Sequence, residues 1–167
     1  MPYLMGGFPS LEASRAIGEA CLDNGADLLE LGVPYSDPLA DGPVIQAAGA
    51  QALRAGATLD GVLEVGEALG RRAPVVLMTY ANLVLARGAE RLAGELAQRG
   101  LAGLIVPDLP LEEAGEVLAA CAACSGVEMP KPSATGTEVW AVARATISAK
   151  RSASAARSPV VPVSETV

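Results

Sequence analysis

Short apolar segments alternate along this chain with segments of helical periodicity, and this alternation constrains the fold more than any other feature. The apolar segments span residues 3–5, 28–31, 75–78 and 104–106, and a glutamate at position 30 is the one charged residue among them. Segments that are apolar throughout, rather than alternating with polar residues, are typical of parallel strands buried on both faces. The pattern predicts four βα units, in either a TIM barrel or a doubly wound sheet.

The helical segments have recognisable beginnings and ends. They span residues 10–24, 44–54, 59–69, 89–99 and 111–123. Ser10 and Thr58 are suited to be N-caps, and Gly25, Gly56 and Gly100 follow helix ends. No G-x-G-x-x-G pattern follows a strand, so the sequence gives little support for a dinucleotide site.

Composition narrows the classes of function. The net charge of −7 disfavours nucleic-acid or anionic-membrane partners, and no apolar stretch approaches the roughly 20 residues of a spanning helix. Three cysteines and no secretion signal favour a cytoplasmic location. The absence of histidine removes Ser-His-Asp and Cys-His catalysis and most zinc sites, so we predict no metal and leave the chemistry to carboxylates and tyrosines.

The most informative block spans residues 29–46 and holds three acids. Glu30 lies within an apolar strand, whereas Asp37 and Asp41 lie in the Pro/Gly-rich loop that follows. A carboxylate in a buried strand costs several kcal/mol unless it is paired or protonated. Two interpretations of Glu30 remain: a catalytic carboxyl with a raised pKa, or an acid at a strand end that pairs with a neighbouring arginine.

This block, together with residues 78–84 (MTYANLV) and 106–110 (VPDLP), resembles the tryptophan synthase α subunit family. The resemblance covers about residues 2–123 and implies a (β/α)8 barrel. It also implies cleavage of indole-3-glycerol phosphate to indole and glyceraldehyde 3-phosphate in tryptophan biosynthesis. The family passes the indole to a β subunit in an α2β2 assembly. Pyridoxal phosphate is expected in that partner, and no cofactor is expected in this chain.

The resemblance assigns roles to individual residues. Glu30 matches the family's catalytic glutamate at the end of strand 2, and Asp41 matches its catalytic aspartate in the next loop. Tyr80 and Tyr3 match aromatic positions that line the substrate pocket, although ordinary packing is the alternative for Tyr80. Five further positions match the side that faces the β subunit: Asp37, Pro38, Asn82, Asp108 and Pro110. For Asp37, capping of its own loop is the alternative.

Composition changes abruptly near residue 124. Residues 1–123 contain seven arginines and sixteen acids (net −9), whereas residues 124–167 contain five basic residues and three acids (net +2). The family continues for four more βα units, which build its phosphate site, and residues 124–167 resemble none of them. We therefore predict half a barrel over 1–123 and a tail of low order over 124–167, with one short helix over 139–147. The tail is a disordered extension, an appended segment or the product of a shifted reading frame; we favour the last.

The sequence thus supports a leading hypothesis and two alternatives. The first is a lyase of the tryptophan synthase α type. The second is a catalytically impaired chain that only binds the β subunit, and the third is a non-functional half-barrel.

Overall fold

Four parallel strands form the centre of the structure and lie in the sheet in the same order as in the sequence. The structure is a computed structural model that describes residues 1–125 and the backbone of 139–142. The strands are β1 (Tyr3–Met5), β2 (Leu29–Gly32), β3 (Val75–Met78) and β4 (Gly103–Val106). In their register Tyr3 pairs with Glu30, and Glu30 pairs with Val76. These three residues therefore lie side by side across the sheet.

Helices connect the strands. They are α1 (Leu11–Asp23), α2 (Pro43–Arg54), α3 (Leu59–Gly70), α4 (Ala81–Arg87), α5 (Ala89–Gln98) and α6 (Gly115–Ser125). The predicted N-caps are confirmed: the Ser10 and Thr58 side chains accept hydrogen bonds from the amides of Ala13 and Gly61. Glycines with positive φ, such as Gly25 at +91°, follow the helices because only glycine adopts this conformation without strain.

The main core lies between the sheet and α3–α6 on one face. Leu29 and Leu31 of β2 and Val75 and Leu77 of β3 are fully buried there against helix residues such as Leu92. Consecutive strand order with these helices on one face is the arrangement of a β/α barrel, whereas a doubly wound sheet has helices on both faces. The predicted fold class is therefore confirmed over the four βα units.

The opposite face of the sheet, which we call the inner face, has its own apolar cluster. Val76, Met78 and Ile105 form it, with Tyr3 and Leu28 packed against them. Side chains alternate between the faces of a strand, so Glu30, between buried Leu29 and Leu31, projects from the inner face. The one acid of the apolar strands thus lies outside the helix-covered core.

An arginine links three of the helices at their exposed side. Arg87, at the end of α4, forms ion pairs with Asp60 of α3 and Glu95 of α5. The Arg87 side chain is 21% exposed, so these bonds are shielded from water more than ordinary surface pairs. They fix the orientation of α4, which begins at the candidate site.

Two helix predictions were wrong in detail. Residues 81–87 form α4, for which no helix was predicted, and residues 111–123 are a 3₁₀ turn (Leu111–Glu113) followed by α6. Gly115 begins α6, and a weak helix former there is consistent with the late start of the regular helix.

The helix predicted over 139–147 was also wrong over 139–142, the part of that range that the structure describes. Residues Val139–Val142 form β5, which pairs antiparallel with β4, whereas every strand of a β/α barrel is parallel. The rest of the predicted tail, at 126–138 and 143–167, lies outside the described residues. Within the described part of the chain, no helix has the length and apolarity needed to cross a membrane.

Replacement of Thr79 by valine tests whether the buried Thr79 hydroxyl lowers the stability of the fold. Thr79 is fully buried after β3, and among the described residues its hydroxyl has no hydrogen-bond partner. Because a buried unsatisfied hydroxyl is costly, we expect Thr79→Val to raise the free energy of unfolding in urea by about 1 kcal/mol. Thr58→Val is the matched control: it removes the cap of α3 and should lower stability by about 1 kcal/mol. A less stable Thr79→Val protein would contradict the assignment.

Candidate active site at the carboxyl ends of the strands

The loops after β2, β3 and β4 meet at one edge of the sheet, because parallel strands all end on the same side. In β/α barrels this edge holds the catalytic groups. Hydrogen bonds join the three loops there, and the two predicted catalytic acids lie on the inner face and in the first of these loops.

Glu30 is half-buried on the inner face of β2. Its backbone is fixed on both sides by sheet pairing, and its amide donates to the Pro2 carbonyl at 3.0 Å. The side chain thus starts from a rigid element, which is the preferred support for a group that must transfer a proton.

Asp41 lies in the loop after β2 and is hydrogen-bonded to the hydroxyl of Tyr80. The same hydroxyl accepts a hydrogen bond from the Ala40 amide at 3.1 Å. Tyr80 is 1% exposed and precedes α4, so a buried side chain on the β3 loop holds the β2 loop in place. This contact joins the predicted catalytic aspartate to the predicted pocket tyrosine.

The electrostatics of Asp41 reflect two opposing effects. Burial raises the pKa of the Asp41 carboxyl above its usual value, and the hydrogen bond from Tyr80 opposes this shift by stabilising the charged form. The pKa of Tyr80 is itself raised, chiefly by burial, so its hydroxyl remains a proton donor at neutral pH. Tyr80 is therefore the group that favours an ionised Asp41.

Tyr35 is a site residue that the sequence analysis missed. Its ring stacks on that of Tyr80, with centroids 5.2 Å apart, and its hydroxyl accepts from the Asn82 side chain at 3.0 Å. An aromatic residue directly after Val33 and Pro34, at the end of a buried strand, is the signal that could have identified it.

The residues predicted to face a partner all lie in these loops or at the start of α4. Asp108 has a structural bond as well, because its carboxylate accepts from the Ala81 amide at 2.8 Å and so caps α4 from the β4 loop. Asp37 accepts from the Ser36 hydroxyl at 2.6 Å, a bond between neighbouring side chains that leaves both interpretations of Asp37 open. The carbonyl of Pro38 accepts from Gln46, and Pro110 is exposed. Their role at an interface stays a prediction.

Tyr3 borders the site from β1. Its ring crosses the inner face to lie over Gly32, where a methyl group would overlap with the tyrosine hydroxyl. Tyr3 also lines a cavity of about 200 Å³ between β1, α1 and α2, whose walls include Met5, Phe8 and Ile45. Met5 packs there against Ala52 and Ala57. The predicted substrate-binding tyrosine thus stands between an apolar cavity and Glu30.

Metal ligands are not clustered in this region. Among residues 1–125, no group of three or more Cys, Asp or Glu side chains is arranged to hold a metal ion. The geometry instead brings the carboxyls of Glu30 and Asp41 and the phenols of Tyr3, Tyr35 and Tyr80 to one edge of the sheet, beside an apolar surface. Such a set can transfer a proton and stabilise a cation.

Replacement of Tyr80 by phenylalanine tests the link between the loops. The variant keeps the ring but loses the bond that stabilises the Asp41 carboxylate, so the pKa of Asp41 should rise further, as followed by NMR titration of its carboxyl carbon. Tyr35→Phe is the control: it removes the bond to Asn82 and should leave the Asp41 titration unchanged. An unaltered Asp41 pKa in Tyr80→Phe would show that this bond does not form.

Comparison with known proteins identifies relatives of this chain. The sequence profile of the family described as tryptophan synthase alpha chain matches residues 1–147, beyond the predicted limit at 123. The curated tryptophan synthase alpha chain of a Cyanothece species is 50% identical over 131 residues, which cover 77% of this chain and 49% of that protein. The alpha chain of Methanosarcina acetivorans is 46% identical over 119 residues, covering 71% and 44%.

Solved structures agree with this similarity. A tryptophan synthase chain from Mycobacterium tuberculosis superposes with a TM-score of 0.71 at 43% identity, covering 73% of this chain and 48% of that one. The tryptophan synthase subunit alpha of Legionella pneumophila also gives 0.71, at 36% identity, covering 74% and 48%. The chain spans about half the length of the curated relatives it matches.

Proposed function

The chain belongs to the tryptophan synthase alpha chain family, and we propose that its Glu30 and Asp41 cleave indole-3-glycerol phosphate to indole and glyceraldehyde 3-phosphate. The observation that supports this most directly is the placement of both acids at the edge of the sheet where β/α barrels hold their catalytic groups, Glu30 on the inner face of β2 and Asp41 in the loop after it. The resemblance of residues 29–46 to the family signature supplies the substrate.

Glu30 acts as the acid and base of the reaction. Cleavage requires a proton on indole carbon C3 and removal of a proton from the hydroxyl on the adjoining glycerol carbon. One carboxyl on a rigid strand, beside the apolar Val76 and Tyr3, can give the first proton and accept the second. Positioned proton transfer of this kind is worth about 10²–10⁴ in rate.

Asp41 stabilises the cation that forms when C3 is protonated. The indole ring then becomes an indoleninium ion, and a carboxylate at its N–H makes a charge-assisted hydrogen bond. Asp41 must be ionised for this role, and burial raises its pKa. The Tyr80 bond is thus part of the function, because it favours the carboxylate.

The indole ring is held by aromatic and apolar side chains of the inner face. Tyr3 and the apolar cluster of Val76, Met78 and Ile105 border Glu30, and Tyr80 closes the side nearest Asp41. These groups exclude water from the ring, which strengthens the attraction between Asp41 and the cation. We expect the chain to use no cofactor in this step.

We further propose that the loops at this edge dock on the β subunit, which uses pyridoxal phosphate, and that both act in the cytoplasm. Leu39 is 89% exposed in the β2 loop, and Leu85 of α4 is 64% exposed. Large apolar side chains that project beside Asp37 and Asn82 are suited to a protein interface. The thiols of Cys21, Cys121 and Cys124 are free, as suits a reducing compartment.

Indole release from indole-3-glycerol phosphate by the purified chain tests the lyase proposal. We expect Glu30→Gln to reduce kcat about 10²–10⁴-fold and Asp41→Asn to reduce it about 10²–10³-fold. Glu12→Gln, at an exposed position in the first turn of α1, makes the same chemical change away from the site and should leave kcat unchanged.

The same assay separates the lyase from the docking alternative. A chain that stimulates a β subunit but releases no indole, with or without it, would favour a purely structural partner. Unchanged release in Glu30→Gln would refute the role assigned to Glu30.

A further inference from the structure

The hydroxyl of Tyr3 is a buried polar group that the mechanism above does not use. It is shielded from solvent, and within the described part of the chain it has no hydrogen-bond partner. A buried hydroxyl without a partner costs about 1–3 kcal/mol, and phenylalanine would fill the same space without that cost. Such a group calls for a functional explanation.

The backbone determines where this hydroxyl lies. Tyr3 and Glu30 are direct partners in the parallel β1–β2 ladder, so their side chains leave the inner face next to each other. The Tyr3 ring then leans toward the carboxyl ends of the strands and places its hydroxyl over Gly32, two residues beyond Glu30. The absence of a side chain at Gly32 makes this position available.

The charges nearby keep the hydroxyl protonated. Burial raises the pKa of Tyr3 most, and the negative charges of Asp41 and Glu30 raise it further. A phenol in this environment does not ionise at neutral pH, so it can donate a hydrogen bond to an oxygen that gains negative charge during a reaction.

We propose that Tyr3 is a further catalytic residue, an inference that rests on the proposed function. Its hydroxyl donates a hydrogen bond to the glycerol oxygen from which Glu30 removes the proton. This oxygen must lie within reach of the Glu30 carboxyl, and the Tyr3 hydroxyl lies over Gly32 on the same face, two residues beyond Glu30. The hydroxyl is shielded in the unbound chain, so substrate that enters beside Glu30 must displace the ring edge from Gly32 and then supplies the partner that the hydroxyl lacks.

The cleavage needs no reactant other than the substrate and the Glu30 carboxyl. Glu30 first donates its proton to C3, which gives the indoleninium cation and a Glu30 carboxylate. The carboxylate then accepts the hydroxyl proton, the O–H electron pair forms the carbonyl of the aldehyde, and the C–C bond breaks. Its electron pair returns to the ring and neutralises the cation. Tyr3 keeps its proton throughout and stabilises the partial negative charge on the oxygen.

A double-mutant cycle between protein and ligand tests this bond by calorimetry. One ligand is indole-3-glycerol phosphate, bound to chains that carry Glu30→Gln to prevent turnover. The other is the analogue without a hydroxyl on the carbon attached to the ring. We expect Tyr3→Phe to weaken binding of the first about three- to tenfold, as for one hydrogen bond, and to leave binding of the analogue unchanged. In chains with Glu30 intact, kcat should fall at least as much.

A stability measurement distinguishes this role from ordinary packing. Tyr3→Phe should raise the urea midpoint of unfolding, because it removes an unsatisfied hydroxyl. The matched control, Tyr35→Phe, removes a hydroxyl that has a partner and should not raise it. A gain in stability together with a loss of substrate affinity supports the proposal.

Two results would overturn the role of Tyr3, and they have different consequences for the proposed function. If Tyr3→Phe weakens the binding of both ligands equally, or of neither, the Tyr3 hydroxyl does not contact the substrate hydroxyl. The roles of Glu30 and Asp41 then still stand. If the chain with tyrosine at position 3 binds neither ligand, the proposed function itself fails, and the role of Tyr3 fails with it.

Discussion

The parallel register of β1, β2 and β3 determines which side chains meet on the inner face. It aligns Tyr3, Glu30 and Val76 in one row. A shift of one residue in β2 would exchange Glu30 with Leu29 or Leu31, which are fully buried under the helices. Burial of a carboxylate in that core would cost several kcal/mol. The helix-side core and the position of the acid are therefore consequences of the same register.

The loops depend on a second constraint, the buried hydroxyl of Tyr80. It holds the Ala40 amide and the Asp41 carboxyl, and Asp108 fixes the start of α4 directly after it. Ion pairs of Arg87 orient the far end of α4. The position of Asp41 is thus secured by Tyr80, which follows β3, and by Gln46 of its own segment, whose side chain donates to the Asp41 carbonyl at 2.9 Å.

Much of the fold follows from local sequence, and most of the site does not. Apolar runs located the strands, and Ser10 and Thr58 located helix starts, because these signals act over a few residues. Helix α4 was missed because its first amide is capped by Asp108, a residue 27 positions away, and no local residue signals the start. The Tyr80–Ala40 bond spans 40 positions and was equally invisible. Glu30, Asp41, Tyr3 and Tyr80 were assigned by family resemblance, and their mutual contacts required the structure.

On the proposed function, Glu30 and Asp41 supply the proton transfer and the cation stabilisation for carbon–carbon cleavage once substrate is bound. Single-turnover indole release, with the chain in large excess over indole-3-glycerol phosphate, tests this most directly because the rate then reports the cleavage of bound substrate. We expect one equivalent of indole to form in a single exponential phase whose rate saturates with chain concentration. Indole formation no faster than in buffer, at concentrations where calorimetry shows the substrate bound, would contradict it.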